Sequence, residues 1–468
     1  MSRVGSSRTR AVVLGLSSVM VGLSVGAVPA AQAAGVPQPI ARPAHMGADR
    51  PVLGGSHGRR DHRVVSYITF TGRQVVDTGP VGSSTGDLTF TNGSFSLRRN
   101  GPAVGDFFVR IQVLVPDTGS GREQRDTLLN VTLPDGTLMA RAIQNDPTAA
   151  PPDRDTDMVV LGGTGAYEGV RGVVSLHPVA RGVYRLTWEF AAEGTSAGAH
   201  VESITVNRRH IAAFEQSFGD SPATYSVIGL EDELSGRGRA GRQGSATCGA
   251  TSSVRSGIGR PIADTWVCQY RLKGGSILVA SMRQTSAGVQ PATHFVDAIV
   301  GGTGRYLGAT GVDIVDELSG DRAVVEFRVT IPRRGKPAAA SFDGWRERST
   351  VSGVTLFDEA GVAVLTAQSV GEQFADSSLG ESIGISPSVY IVFDSPSACR
   401  VVGEYVFKFP GGSIFATHAQ TLSSGCADAR TRTLVVTGGT GIYASARGTV
   451  TLDEAAVVEG AVRFSLRF

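Results

Sequence analysis

The sequence predicts an all-β protein made of three tandem antiparallel β-barrels of about eight strands each. Three observations carry this expectation. A glycine phrase occurs three times, as Val159-Val160-Leu161-Gly162-Gly163-Thr164-Gly165-Ala166-Tyr167, Ile299-Val300-Gly301-Gly302-Thr303-Gly304-Arg305-Tyr306 and Val435-Val436-Thr437-Gly438-Gly439-Thr440-Gly441-Ile442-Tyr443. Its first glycines lie 139 and 137 residues apart, the length of a whole domain rather than of a solenoid repeat. Around each phrase the apolar residues alternate with period 2, and no long amphipathic helix appears.

The N-terminal stretch has Arg3, Arg8 and Arg10, an apolar run from Ala11 to about Ala30, and then Ala31-Gln32-Ala33. That order reads as a secretory signal peptide over 1–33, so the mature protein is expected outside the cell. Residues 34–63 are rich in Pro, Gly, His and Arg without periodicity and read as a flexible linker. The barrels are then expected at 64–190, 210–332 and 347–468. No later segment is apolar enough to span a bilayer as a helix, so no stable membrane insertion is expected after cleavage. A net charge of +2 over 468 residues argues against nucleic acid as a partner, because phosphate binding needs clustered Lys and Arg.

Within each repeat a hairpin precedes the glycine phrase. Leu129–Leu133 turns at Pro134-Asp135-Gly136, Cys268–Leu272 turns at Lys273-Gly274-Gly275, and Tyr405–Phe409 turns at Pro410-Gly411-Gly412. A closing strand follows it, at Val183–Phe190, Ala323–Val329 and Ala461–Phe468. The opening strand aligns Tyr67–Thr71 with Ile211–Glu215 and with Val354–Asp358. The second and third repeats thereby place a carboxylate, Glu215 and Asp358, after a shared Phe, where the first has Thr71.

The four cysteines suit an exported protein. Cys248 and Cys268 flank a turn-rich segment, and Cys399 and Cys426 bracket Gly411-Gly412, which suggests one disulfide within each of the last two repeats. A zinc site is the alternative, but no Cys-x-x-Cys or nearby His pair supports it. A nucleotide loop is also a poor fit. The glycine phrase sits late in each repeat and runs into more β pattern, whereas a dinucleotide fingerprint opens a helix. Gly82-Ser83-Ser84-Thr85-Gly86 matches a serine-hydrolase elbow only formally, since no helix follows it.

Gly-Gly-Thr-Gly, one residue, an aromatic and a glycine-containing return to a strand resembles the late signature of the allene oxide cyclase and dirigent superfamily of β-barrels. Thr437–Gly448 carries it most fully, and Gly162–Gly172 follows it. Gly86-Asp87-Leu88-Thr89-Phe90-Thr91-Asn92 is similar to a segment of the plant cyclases. The resemblance implies a cofactor-free barrel whose cavity holds an apolar small molecule and directs cyclisation, isomerisation or stereoselective coupling, on the dirigent side with a partner oxidase that makes the radicals. It also implies trimers of barrels, so the chain is expected to form a self-contained pseudo-trimer. A carboxylate near the opening strand matters in both branches, which makes Glu215 and Asp358 the expected catalytic residues. The first repeat lacks that acid and reads as a scaffold, or as a barrel that binds without reacting. The alternative is a non-enzymatic secreted binding or surface protein built from barrel modules.

Overall fold

The computed structural model describes residues 62–467 except 77–81, 85–86, 118, 149–151, 191–198, 219–222, 237–240, 256–259, 285–292, 320, 333–340, 358–362, 377–381, 396–397, 410, 423–430, 445 and 454–460. The signal peptide and linker expected over 1–61 therefore lie outside the described residues, as does Asp358.

The first sheet runs β1 His62–Val76, β2 Leu88–Ser96, β3 Gly105–Val115, β4 Arg122–Leu133, β5 Gly136–Pro147, β6 Thr156–Gly163, β7 Gly172–Ala180 and β8 Val183–Phe190. The second runs β9 His200–Phe218, β10 Ala223–Gly236, β11 Arg242–Arg255, β12 Arg260–Leu272, β13 Gly275–Gln284, β14 His294–Gly302, β15 Thr310–Ser319 and β16 Arg322–Ile331. The third runs β17 Ser341–Phe357, β18 Ala363–Asp376, β19 Ser382–Ser395, β20 Ala398–Phe409, β21 Gly412–Leu422, β22 Thr431–Gly439, β23 Gly448–Asp453 and β24 Ala461–Arg467. Each sheet is an antiparallel meander closed by pairing of its first strand with its last, giving three closed barrels. Closure removes the exposed edges that such alternating strands would otherwise present.

Alternation sorts the side chains into two cores. One face of each strand fills its own barrel: Phe95, Phe107, Val131, Leu186 and Trp188 in the first, and Tyr270, Val325 and Phe327 in the second. The other face of β5, β6 and their counterparts meets the neighbouring barrels. Met139 and Val159 pack in one cluster with Leu278 and Ala298 of the second barrel and Phe415 and Val435 of the third. The three barrels thus share an apolar core that separate barrels on a string would lack.

The glycine phrase builds both cores. Its first glycine lies on the shared core, and the contacts run in a cycle: Gly162 faces Ala298, Gly301 faces Val435, and Gly438 faces Val159. The following threonine accepts the backbone N–H of the β-hairpin, Thr137 to Thr164 at 3.2 Å, Ser276 to Thr303 at 3.1 Å and Ser413 to Thr440 at 3.0 Å. Gly165, Gly304 and Gly441 then open a single turn of 3-10 helix at φ near +60°, which turns Tyr167 and Tyr306 into the closed ends of their barrels.

The opening strands correct the sequence alignment. A β-bulge interrupts the ladder at Thr71, at Ile211 and at Ser349, always at the same height in the barrel. Ile211 and Ser349 are therefore the counterparts of Thr71, and the alignment of Thr71 with Glu215 and Asp358 is out of register by four and nine residues. β9 and β17 also begin earlier than the expected barrel boundaries, at His200 and Ser341. The sequence alignment followed a shared Phe, whereas the bulge fixes the register and can be seen only in the pairing.

Candidate ligand site in the first barrel

The lumen of the first barrel is filled at one end and open at the other. At the filled end Trp188 is fully buried, and its indole N–H donates to Ser66 Oγ at 2.9 Å. Towards the open end the inward positions of β4 and β5 change character. On β4 the series Leu133, Val131, Leu129 continues through Thr127 and Arg125 to Glu123, and on β5 Leu138, Ala140, Ala142 continues through Gln144 to Asp146. The register places Thr127 opposite Ala142, Arg125 opposite Gln144 and Glu123 opposite Asp146. A cavity of about 440 Å³ lies above these groups. Phe70, Ile111, Val113 and Thr91 line it with Glu123 and Arg125 of β4, and Arg73 and Asp87 add charge from the side of β1 and β2, while its walls are mainly apolar. That size and composition suit a small organic molecule.

The charged groups interlock. Arg125 Nε donates to Glu123 Oε1 at 2.7 Å and its Nη2 to the carbonyl of Pro147 at 2.8 Å, while Asp146 Oδ2 stands 3.7 Å from Nη1. The hydroxyl of Ser83 donates to the other oxygen of Glu123. Asp146 is fully buried and neither of its oxygens accepts a hydrogen bond among the described residues. Burial pushes its pKa up to about 6, against the opposing pull of Arg125 and Arg122. Burial, reinforced by Asp146, likewise raises Tyr184 to about 12, and its hydroxyl donates to Pro152 O at 3.3 Å. Among the described residues Thr91 Oγ1 and Gln144 Oε1 are also buried without hydrogen-bond partners, although the Gln144 amide donates to Thr127 Oγ1 at 3.0 Å. Several hydrogen-bonding atoms thus stand ready in this lumen.

The rim is held by side chains. Asp117 accepts from Thr148 Oγ1 at 2.8 Å and from the N–H groups of Gly119 and Gly121, and these bonds, Thr148 first, hold its carboxyl below the usual range. Arg122 binds Asp153 through two nitrogens at 3.0 and 2.9 Å, which lowers Asp153 to about 2.

The other lumens differ. The second has a small cavity of about 50 Å³ beside the Cys248–Cys268 disulfide, which occupies part of the interior, and a separate charged cleft of about 530 Å³ lined by Arg208, Arg209, Glu233 and Arg322. Those cysteines sit directly opposite each other on β11 and β12, as their spacing suggested. In the third, His418 is fully buried beside Tyr405, with ring centroids 5.8 Å apart. Burial, with the positive charges of Arg432 and Arg271, lowers its pKa to about 3.

The expected site residues do not gather here. The backbone of Glu215 lies opposite Ile228 on β10, and its register counterpart in the first barrel is Val75, on the cavity rim. The side chain of Glu215 and the whole of Asp358 lie outside the described residues, as does the Cys399–Cys426 pairing, of which only the Cys399 backbone is placed, on β20. Thr71 is the exposed bulge residue and donates to Asn92 O at 3.4 Å. The first barrel has no acid at the expected opening-strand position, but Glu123 and Asp146 bring carboxylates into its lumen from β4 and β5. Their signal was in the sequence: Glu123-x-Arg125-x-Thr127 runs at period 2 into Leu129-x-Val131-x-Leu133, which puts charge on a core-facing stripe.

No family model matches the chain, and no curated protein does. Among solved structures it is similar to one titled pyocyanin demethylase, at 19% identity over 28% of this chain and 99% of that one, with a TM-score of 0.24. The functional reading therefore rests on the geometry of the lumens.

Proposed function

We propose that this is an exported single-chain pseudo-trimer whose first barrel binds a small, mostly apolar molecule and directs its cofactor-free cyclisation, isomerisation or stereoselective coupling. The observation that carries the reading is the cavity of about 440 Å³ with the Glu123–Arg125–Asp146 cluster at its base. The apolar walls hold a flexible substrate in one conformation. Arg125, with five N–H donors, stabilises negative charge that develops on a substrate oxygen, and Glu123 takes or returns a proton. Asp146, buried behind Arg125, has its pKa raised to about 6, so it exchanges its proton just below neutral pH. The resemblance of the glycine phrase to the allene oxide cyclase and dirigent barrels agrees with this chemistry and with an apolar ligand. Glu215 and Asp358 remain candidate acids for the other two barrels, tested by Glu215→Gln and Asp358→Asn.

A second reading is binding without chemistry. It is favoured by the saturation of Arg125, whose charge is already engaged by Glu123 and Asp146.

The experiment is to purify the intact protein from the culture medium, extract any bound small molecule and identify it by mass spectrometry. Ile111→Trp, which fills the cavity, is expected to abolish the bound molecule. Glu123→Gln is expected to keep it and to lose turnover of it; retention of turnover would favour the second reading. An Ile111→Trp protein that still carries the same ligand would remove the first barrel as the site. Recovery of the protein only inside cells, with residues 1–33 intact, would remove the export.

A further inference from the structure

The three barrels act as internal controls for one another, and one position differs in a chemically pointed way. The residue just before the bulge faces the barrel mouth. In the first barrel it is Phe70, opposite Gly93, and Phe70 packs on Phe107 and Tyr184 with ring centroids 5.2 Å apart in both contacts. Gly93 admits no side chain, because a β-carbon there would lie 1.9 Å from the carbonyl oxygen of Thr69. In the second barrel the same two positions hold His210 and Asp232, again directly opposite.

These two residues form a dyad. His210 Nδ1 donates to Asp232 Oδ1 at 2.5 Å, and Asp232 is fully buried, its second oxygen 3.8 Å from Arg208 Nε. Because Nδ1 faces a carboxylate, it carries the ring proton, and the lone pair is on Nε2. Nε2 makes no hydrogen bond among the described residues, and the imidazole, 23% exposed, borders the small cavity at the mouth with Trp266, Asp297 and Glu317. Two other histidines pair with Asp through Nδ1, His177 with Asp155 and His294 with Asp316, but in both pairs each side chain is at least 42% exposed. Water competes for those carboxylates. It does not reach Asp232, so only His210 is held in one orientation and one tautomer.

We propose that His210 is a general base at the mouth of the second barrel, positioned by Asp232, for a small carbon or oxygen acid that approaches from solvent. Nε2 takes a proton from the ligand, the imidazolium is stabilised by Asp232, and the same proton returns to another atom of the ligand. The net change is a tautomerisation, which needs no oxidant, reductant or co-reactant. This site is separate from the cavity of the first barrel.

The test uses the full-length exported protein and the chromogenic probe 5-nitrobenzisoxazole. Loss of its C3 proton to a base forms a nitrile, breaks the N–O bond and releases a coloured phenolate. The wild-type protein is expected to accelerate this above buffer. His210→Gln should lower the rate about tenfold or more, while His177→Gln and His294→Gln leave it unchanged. Asp232→Asn should lower it as well, and long-range proton–nitrogen spectra should show the ring proton moving from Nδ1 to Nε2, a change that loss of packing alone would not produce. A rate equal to buffer, a His210→Gln protein as fast as wild type, or a wild-type His210 protonated on Nε2 would each overturn the proposal. Failure of Glu123→Gln to alter turnover in the first barrel would leave it untouched.

Discussion

A β-carbon on Gly438 of the third barrel would lie 2.4 Å from Cγ1 of Val159 in the first. The two residues meet at the shared core, and the missing side chain of one makes room for the other. Gly301 has the same relation to Val435 at 2.5 Å, whereas Gly162 has 3.4 Å to Ala298. Gly438→Ala should therefore cost about 2 kcal/mol, through overpacking and through the φ of +155° at that residue. Gly162→Ala should cost less. Denaturant melts check the order, and Val159→Ala in the Gly438→Ala background should restore part of the loss.

A buried ion-pair network also joins these two barrels. Asp126, fully buried, accepts from Arg110 Nη2 at 2.6 Å and from Arg141 Nε at 2.7 Å, and Arg141 Nη2 donates to Glu404 of the third barrel at 2.7 Å. Breaking such a network by removing one partner is costly because the other charge stays buried. Glu404→Gln is expected to destabilise the protein by about 3 kcal/mol. Adding Arg141→Met should recover much of that, which a thermal melt of the double variant measures.

His418 should make the protein acid-sensitive. Its folded pKa is depressed to about 3, so between that value and its ordinary 6.5 the unfolded chain binds more protons than the folded one. Its contribution to stability is complete above the ordinary value and is lost as pH falls through this window, by about 1.4 kcal/mol per pH unit at most. His418→Gln should flatten the decline of Tm from pH 6.5 towards 4.

Asp146 gives the opposite slope. Its folded pKa is raised to about 6 from 3.8, so the folded state binds the extra proton and stability from this group falls as pH rises from about 4 to 6. Asp146→Asn should remove that fall. At pH 7.5 the variant should be no less stable than wild type, despite the lost attraction to Arg125. A variant much less stable there would mean that the ionised Asp146–Arg125 pair outweighs the burial cost of the carboxylate.

Much of the fold was legible in the sequence. The thrice-repeated glycine phrase, the hairpin before it and the closing strand after it each fall on the strands expected of them, because period 2 and turn chemistry are local properties. The Cys248–Cys268 pair was legible for the same reason, since two residues placed symmetrically about a turn face each other in an antiparallel ladder. The opening strand was not. Phe70, Phe214 and Phe357 look equivalent in the sequence, but the bulges at Thr71, Ile211 and Ser349 set the register, and a bulge leaves no fixed residue signature.

The sequence by itself determined that one β-rich unit was built three times, where its turns lie and which residues alternate inwards. Only the tertiary structure decided what each lumen became. The period-2 stripe puts Glu123 and Arg125 on the inward face, but only closure of the ring leaves a cavity beside them. His210 and Asp232 lie 22 residues apart on consecutive strands, and the bulged register of β9 with β10 sets them directly opposite. Side-chain direction is written locally, but which side chains share a closed space depends on register and on barrel closure, and both arise from pairings between distant residues.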